Sequence, residues 1–203
     1  MLLKTFIKPL QYPVSKEGVR VIIGLTSFLG AGKTTIADYL VKKGFVFYSL
    51  SDVIRDEIKS RGQEITRTRL QRVGTELRKR FGNSVLADRV LEKIGQEPEK
   101  DFVIDSIRNP AEVEALRQRK DFTLVFVDAP IEVRFERIKT RQREKDPVAL
   151  EDFKKAEQKE LENKDSANQQ LLRCREMADL IIHNDSTLES LYKKIDNLLE
   201  GLK

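Results

Sequence analysis

The chain of 203 residues carries 38 Lys and Arg against 33 Asp and Glu, a net charge of +5, and 39% of it is apolar. That length suits one domain with a full core, and so slight a basic excess suits small anionic ligands while excluding a polycationic nucleic-acid tail. A single cysteine, Cys174, and a single histidine, His183, exclude an internal disulfide and a Cys/His zinc cluster, and suit a reducing, cytoplasmic setting.

Residues 1–18 read as an extension ahead of the domain. Lys4, Lys8, Pro9 and Pro13 interrupt its apolar residues, so neither a signal-peptide core nor a membrane span is expected. From Val19 to Leu25 a nearly continuous, β-branched apolar run predicts a strand buried on both faces. A glycine-rich turn follows at once and leads into a helix through Lys43 that Gly44 closes. Leu29, Gly30, Ala31 and Gly32 are the expected cradle for a phosphate, with Lys33, Thr34 and Thr35 opening the helix behind it. The two glycines let the backbone take positive φ and approach an anion, so that N–H groups, the helix N-terminus and the Lys33 ammonium converge on it. The Thr34 hydroxyl suits Mg²⁺. One departure stands out: the pattern G-x-x-x-x-G-K-[ST] would begin at position 27, where this chain has Ser27.

Phe45–Leu50 predicts a second strand, and Ser51 or Asp52 is expected to cap a helix running to about Ser60. Thr66 opens a further helix with Leu70, Val73, Leu77 and Phe81 at helical spacing, stopped by Gly82, and Ser84–Ile94 predicts another. A third strand, Phe102–Ile104, runs into Asp105, a short SIR loop, the cap Asn109 and Pro110 in the first helical position, with a helix over Ala111–Arg119. Phe122–Val127 is the fourth strand and Ile131 through about Arg143 the next helix. Charged residues 147–164 read as a solvated helix or cover, Asp165–Met177 as helical, Leu180–Ile182 as a fifth strand and Thr187–Leu199 as an amphipathic terminal helix. No two strands are joined by a hairpin-sized turn, so the sheet is expected to be parallel and covered on both faces.

Taken in order, the segments GLTSFLGAGKTT, SLSDVIRDEIKSRG, ELRKRFG, DSIRNPAEVEALR and VRFERIKTRQREKD resemble the P-loop nucleoside monophosphate kinase-like group. That group includes adenylate kinase, dephospho-CoA kinase and deoxynucleoside monophosphate kinases, and the nearest resemblance is to archaeal adenylate-kinase-related proteins. The resemblance implies a three-layer α/β/α P-loop NTPase with a five-stranded parallel sheet. It also implies an acceptor-binding region over about residues 51–95, a lid over about 134–165, and ATP with Mg²⁺ as the working nucleotide. Carried onto this chain, it puts the acceptor near Asp52, Arg55 and Arg78, with Arg108 at the junction of the two substrates. Asn184, beside Asp185, would border the adenine.

Simple chemistry agrees with much of this. Ligands of open parallel sheets gather beyond the carboxyl ends of the strands, which is where Asp52, Asp105 and Asp128 lie. Asp105 is positioned to orient Mg²⁺-bound water, or simply to cap the SIRN turn. Arg55 to Arg80 spans seven arginines, which bind phosphate well but are equally explained by helix-face pairing with Asp56, Glu57, Glu64 and Glu76. Arg134, Arg137 and Arg141 fall on one helical face, a strip that ATP phosphates would relieve unless Glu132, Glu136 or Glu144 does so. Cys174 and His183 have no partners at catalytic spacing and are read as structural.

Three activities fit these residues. The first is transfer of the ATP γ-phosphoryl group to a nucleoside or deoxynucleoside monophosphate, with Lys33, Arg108, Arg137 and Arg141 stabilising the migrating group. In the second, resembling dephospho-CoA kinase, the acceptor is a ribose hydroxyl and Asp52 is its base. The third is an ATP-driven switch read by a macromolecular partner. A small-molecule acceptor is the expected partner, and neither membrane nor nucleic acid is.

Overall fold

The computed structural model describes residues 20–97, 99–141, 149–161 and 165–202. The expected extension and the arginine-rich stretch after Arg141 therefore lie outside the described residues. Five strands, β1 (Ile22–Ser27), β2 (Val46–Ser49), β3 (Phe102–Asp105), β4 (Phe122–Asp128) and β5 (Leu180–His183), form one sheet in the order β2-β3-β1-β4-β5. Every adjacent pair is parallel. The expected three-layer α/β/α architecture is thus what the chain adopts.

Strand alternation divides the core between the two faces. Ile22, Phe102, Ile104, Phe122 and Leu124 point to one side. There they pack under α2 (Leu50–Ser60), α3 (Arg67–Phe81), α4 (Val85–Ile94), α5 (Pro110–Leu116) and α8 (Leu171–Glu176). Ile23, Leu25, Val103, Val125 and Val127 point to the other, under α1 (Lys33–Lys42) and α9 (Leu188–Leu202). A third, smaller cluster joins α6 (Ile131–Arg141) to α7 (Leu150–Leu161) through Phe135, Ile138 and Phe153. Among the described residues of the charged 147–164 stretch, Phe153, one of its few apolar positions, is the buried anchor.

Several boundaries differ from those read in the sequence, each for a local reason. Ser49 rather than Ser51 or Asp52 is the N-cap of α2, because the helix begins directly at the end of β2. Helix α5 stops at Leu116, short of Arg119, where an Arg119–Asp121 ion pair turns the chain into β4. Asp165–Gln170 is not helical. Three of its backbone groups are claimed from outside: Asn109 Nδ2 donates to Ser166 O and Asn168 O at 2.7 and 3.0 Å, and Gln170 N donates to Arg108 O at 2.7 Å. Only Leu171–Glu176 is left to form α8. Ser27, in place of the expected first glycine, ends β1 in register with Val127 and is buried. Ser106 is the one non-glycine with positive φ among the described residues, so position 27 needs no glycine.

Candidate active site

The carboxyl edge of the sheet gathers the ends of β1, β2, β3 and β4. At its centre Gly30 and Gly32 take φ of +81° and +92°, the left-handed region closed to most side chains. The loop is also hemmed in from behind. A Cβ on Gly30 would come within 2.6 Å of Arg134 O, and one on Gly32 would collide with Asn184 Nδ2. Asn184 is buried and donates from Nδ2 to Ala31 O at 2.8 Å, while Arg137 donates to Asn184 O at 3.0 Å and to Ala31 O at 3.4 Å. So two candidates distant in sequence, Arg137 and Asn184, buttress the glycine loop together. Arg141 ends α6, and its side chain lies outside the described residues.

Lys33, the first residue of α1, forms an ion pair with Asp105 at the end of β3. Burial pushes its ammonium below the ordinary value, and the nearby Arg108 charge acts in the same sense, while Asp105 opposes both. From Asp105 a line of side chains runs across the sheet edge. Ser106 Oγ donates to Asp105 Oδ2 at 3.0 Å, Ser51 Oγ donates to Ser106 Oγ at 3.2 Å, and Ser51 and Ser49 hydroxyls meet at 2.8 Å. Arg55 Nη1 completes it, donating to Ser51 Oγ at 2.9 Å and to Asp52 Oδ1 at 2.7 Å. Ser106 holds φ of +65° in this line, a sparsely populated conformation of the kind that clusters at functional sites.

The remaining candidates separate. Arg78 does not face this line: its guanidinium is buried and donates from Nε and Nη2 to Glu112 Oε1 at 3.0 and 2.7 Å. In this structure its anionic partner is the protein's own carboxylate, because α3 turns that face toward α5 rather than toward the sheet edge. Arg108 donates from Nη1 to Gln169 Oε1 at 3.3 Å while remaining close enough to Lys33 to affect its titration. Arg134 is also internal. It binds Ala129 O, Leu29 O and Glu157, so its anionic partner comes from α7 and is neither an ATP phosphate, as expected, nor one of the alternatives Glu132, Glu136 and Glu144. The other arginines of α2 and α3 follow the pairing explanation in part, with Arg61 bridging Glu57 and Glu76.

The donor set suits Mg-nucleotide. Magnesium is ordinarily held by one or two carboxylates together with substrate phosphates and water, and Asp105 and the exposed Thr34 are donors of that kind. No group of three or more His, Cys, Asp or Glu capable of holding a metal occurs among the described residues.

The sequence offers Ser51 only as a helix cap and assigns no role to Ser106, Glu112 or Glu157. Only the two serines had a visible signal, as small polar residues one or two positions past a strand end. The partnerships of Glu112 and Glu157 depend on helix packing across 34 and 23 residues.

A parallel sheet in this order, with a glycine loop between its central strand and the following helix, defines a P-loop protein of the kinase-like class. The AAA domain family matches residues 23–166. A UPF0200 protein of Thermococcus onnurineus is 33% identical over 90% of this chain and 98% of its own length. A UPF0200/UPF0201 protein of Archaeoglobus fulgidus is 32% identical over 88% of this chain, which spans 54% of that longer protein. This chain belongs to the AAA domain family and to the UPF0200 proteins. Among solved structures, shikimate kinase from Acinetobacter baumannii in complex with shikimate superposes with a TM-score of 0.55 at 18% identity, over 90% of this chain and 94% of the other. Shikimate kinase from Bacteroides thetaiotaomicron gives 0.53 at 19%, over 89% and 98%. These two likenesses concern the fold.

Proposed function

We propose that this protein is an ATP-dependent phosphotransferase that moves the γ-phosphoryl group of Mg-ATP to a nucleoside or deoxynucleoside monophosphate. The observation that carries the reading is the unbroken line Lys33–Asp105–Ser106–Ser51–Arg55, which joins the glycine loop to an arginine on the helix after β2. One end suits the donor's phosphates and the other an acceptor's phosphate.

In this reading Lys33 exchanges Asp105 for the β- and γ-phosphate oxygens, which frees the carboxylate for the metal shell. Asp105 and Thr34 would hold Mg²⁺ there, and the ion would supply charge neutralisation at the phosphates. Arg55 is half-exposed and its pair with Asp52 is solvent-screened, so an incoming phosphate competes with that carboxylate at little cost. Asp52 then orients Arg55. A phosphate monoester attacks through an oxygen that is already anionic, so no general base is required. Arg108 and Arg137 supply positive charge on either side of the migrating group.

Asp52→Asn tests the reading against its hydroxyl-acceptor rival. For a monophosphate acceptor we expect a rise in acceptor KM with kcat changed less than about threefold, and a nucleoside diphosphate as product. A fall in kcat of about a hundredfold or more at unchanged KM would instead assign Asp52 as a base and the acceptor as a hydroxyl.

A further inference from the structure

Glu112 is wholly buried, is paired with an arginine from another helix, and takes no part in the phosphoryl-transfer scheme above. Its carboxylate is engaged on both oxygens. Oε1 accepts from Arg78 Nε and Nη2, and Oε2 accepts from the backbone N–H of Arg108 at 2.8 Å and of Asn109 at 3.0 Å. The bond to Asn109 N belongs to an ordinary capping box at the start of α5. The bond to Arg108 N does not. It reaches one residue further back, into the loop that leaves β3 by way of the left-handed Ser106. The same loop is held from its other side, where Gln170 N donates to Arg108 O at 2.7 Å.

We infer that Glu112 is a positioning residue: its carboxylate, oriented by Arg78, clamps the backbone of Arg108 and so sets where the Arg108 guanidinium stands. This inference rests on the phosphotransferase reading, in which Arg108 faces the donor's terminal phosphate. An arginine on a free loop has many arrangements, and fixing its Cα removes most of them before the nucleotide arrives. Retention of a buried ion pair is explained on the same ground. Such a pair adds little stability over apolar residues of similar volume, and in this inference its part is to fix the arrangement of the groups it binds. Arg78, selected from the sequence as an acceptor ligand, acts here on the donor side and through two intermediaries.

The test separates the two functions of the carboxylate, pairing with Arg78 and accepting from the loop. Removing Glu112 alone would leave a buried guanidinium unpaired and could prevent folding. Both proteins compared therefore also carry Arg78→Met: one has Glu112→Gln, whose amide oxygen still accepts from the loop, and the other has Glu112→Met, which accepts nothing. Mg-ATP affinity is titrated for each, with Arg108 present and again with Arg108→Ala. With Arg108 present, the Glu112→Met protein should bind Mg-ATP about tenfold more weakly than the Glu112→Gln protein. With Arg108→Ala the two should agree within about twofold, because no guanidinium remains to be placed. Equal affinities with Arg108 present would overturn the inference, as would a difference that survives in the Arg108→Ala proteins, which would make Glu112 merely structural. Failure of the unsubstituted protein to bind Mg-ATP would be seen first and separately, and would remove the phosphotransferase reading together with this one.

Discussion

Asn184 stands where a side chain on Gly32 would have to go. Its amide nitrogen would collide with a Cβ built there, and it donates instead to Ala31 O at 2.8 Å. The loop is thereby shaped from behind by a residue 152 positions later in the chain, at the end of the last strand. Gly32→Ala should cost about 1–3 kcal/mol from the φ of +92° and displace Asn184 as well. Denaturant unfolding and Mg-ATP titration check both parts. Adding Asn184→Ala should relieve the collision but leave the backbone strain, so stability should be recovered only in part.

The Lys33 ammonium titrates below its ordinary 10.5, chiefly because it is buried, with the Arg108 charge adding to that effect against the pull of Asp105. Between the folded value and 10.5 the unfolded chain holds the extra proton, so this group makes stability rise with pH across that window. Nucleotide binding has the opposite sign. Phosphates favour the ammonium, so Mg-ATP affinity should fall as pH rises through the lowered value, beginning below 10.5. Titrations from neutral to alkaline pH should reveal this loss in the native protein and its absence in Lys33→Arg, whose guanidinium does not titrate.

Arg134 and Arg137 lie one turn apart on α6 and should behave as opposites. Arg134 is buried between Ala129 O, Leu29 O and Glu157, so Arg134→Ala leaves Glu157 and two carbonyls without their donor. A loss of about 3 kcal/mol in unfolding free energy is expected. Among the described residues Arg137 bonds to two backbone carbonyls, Ala31 O and Asn184 O, and to no carboxylate, so Arg137→Ala should cost about 1 kcal/mol yet lower kcat by about a hundredfold. Equal effects of the two substitutions on stability would remove this division of roles.

Cys174 is fully buried, and burial together with the Glu112 charge pushes its thiol up to about 12. A neutral, enclosed thiol is inert. Thiol-modifying reagent should therefore react with the folded protein only at its rate of opening, and stoichiometrically once it is denatured. Rapid modification of the native protein would contradict the packing of α8 against the sheet.

The elements and the parallel pairing of the strands were legible because the strands are short apolar runs followed by helical periodicity, with no hairpin-sized turn between any two of them. Asn109 with Pro110, and Thr66 accepting from Arg69 N at 3.2 Å, are start signals that operate as read. What stayed hidden were tertiary pairings. Arg78 and Arg134 resemble phosphate ligands in sequence, since an arginine on a helix face carries the same signal whether a carboxylate or a phosphate meets it. Their partners, Glu112 and Glu157, are fixed only once the fold brings Arg78 of α3 to α5 and packs α6 on α7. The non-helical turn at 165–170 was hidden for the same reason, its backbone being satisfied by Arg108 and Asn109 from a different part of the chain.

The most direct test is ADP release from Mg-ATP in the presence of ribo- and deoxyribonucleoside monophosphates and of dephospho-CoA, each supplied separately, with the Lys33→Ala protein as the blank. Strong stimulation by one monophosphate, stoichiometric formation of its diphosphate and a rate lost in Lys33→Ala are the expected result. Binding of Mg-ATP with no stimulation by any acceptor, or turnover retained in Lys33→Ala, would contradict the account.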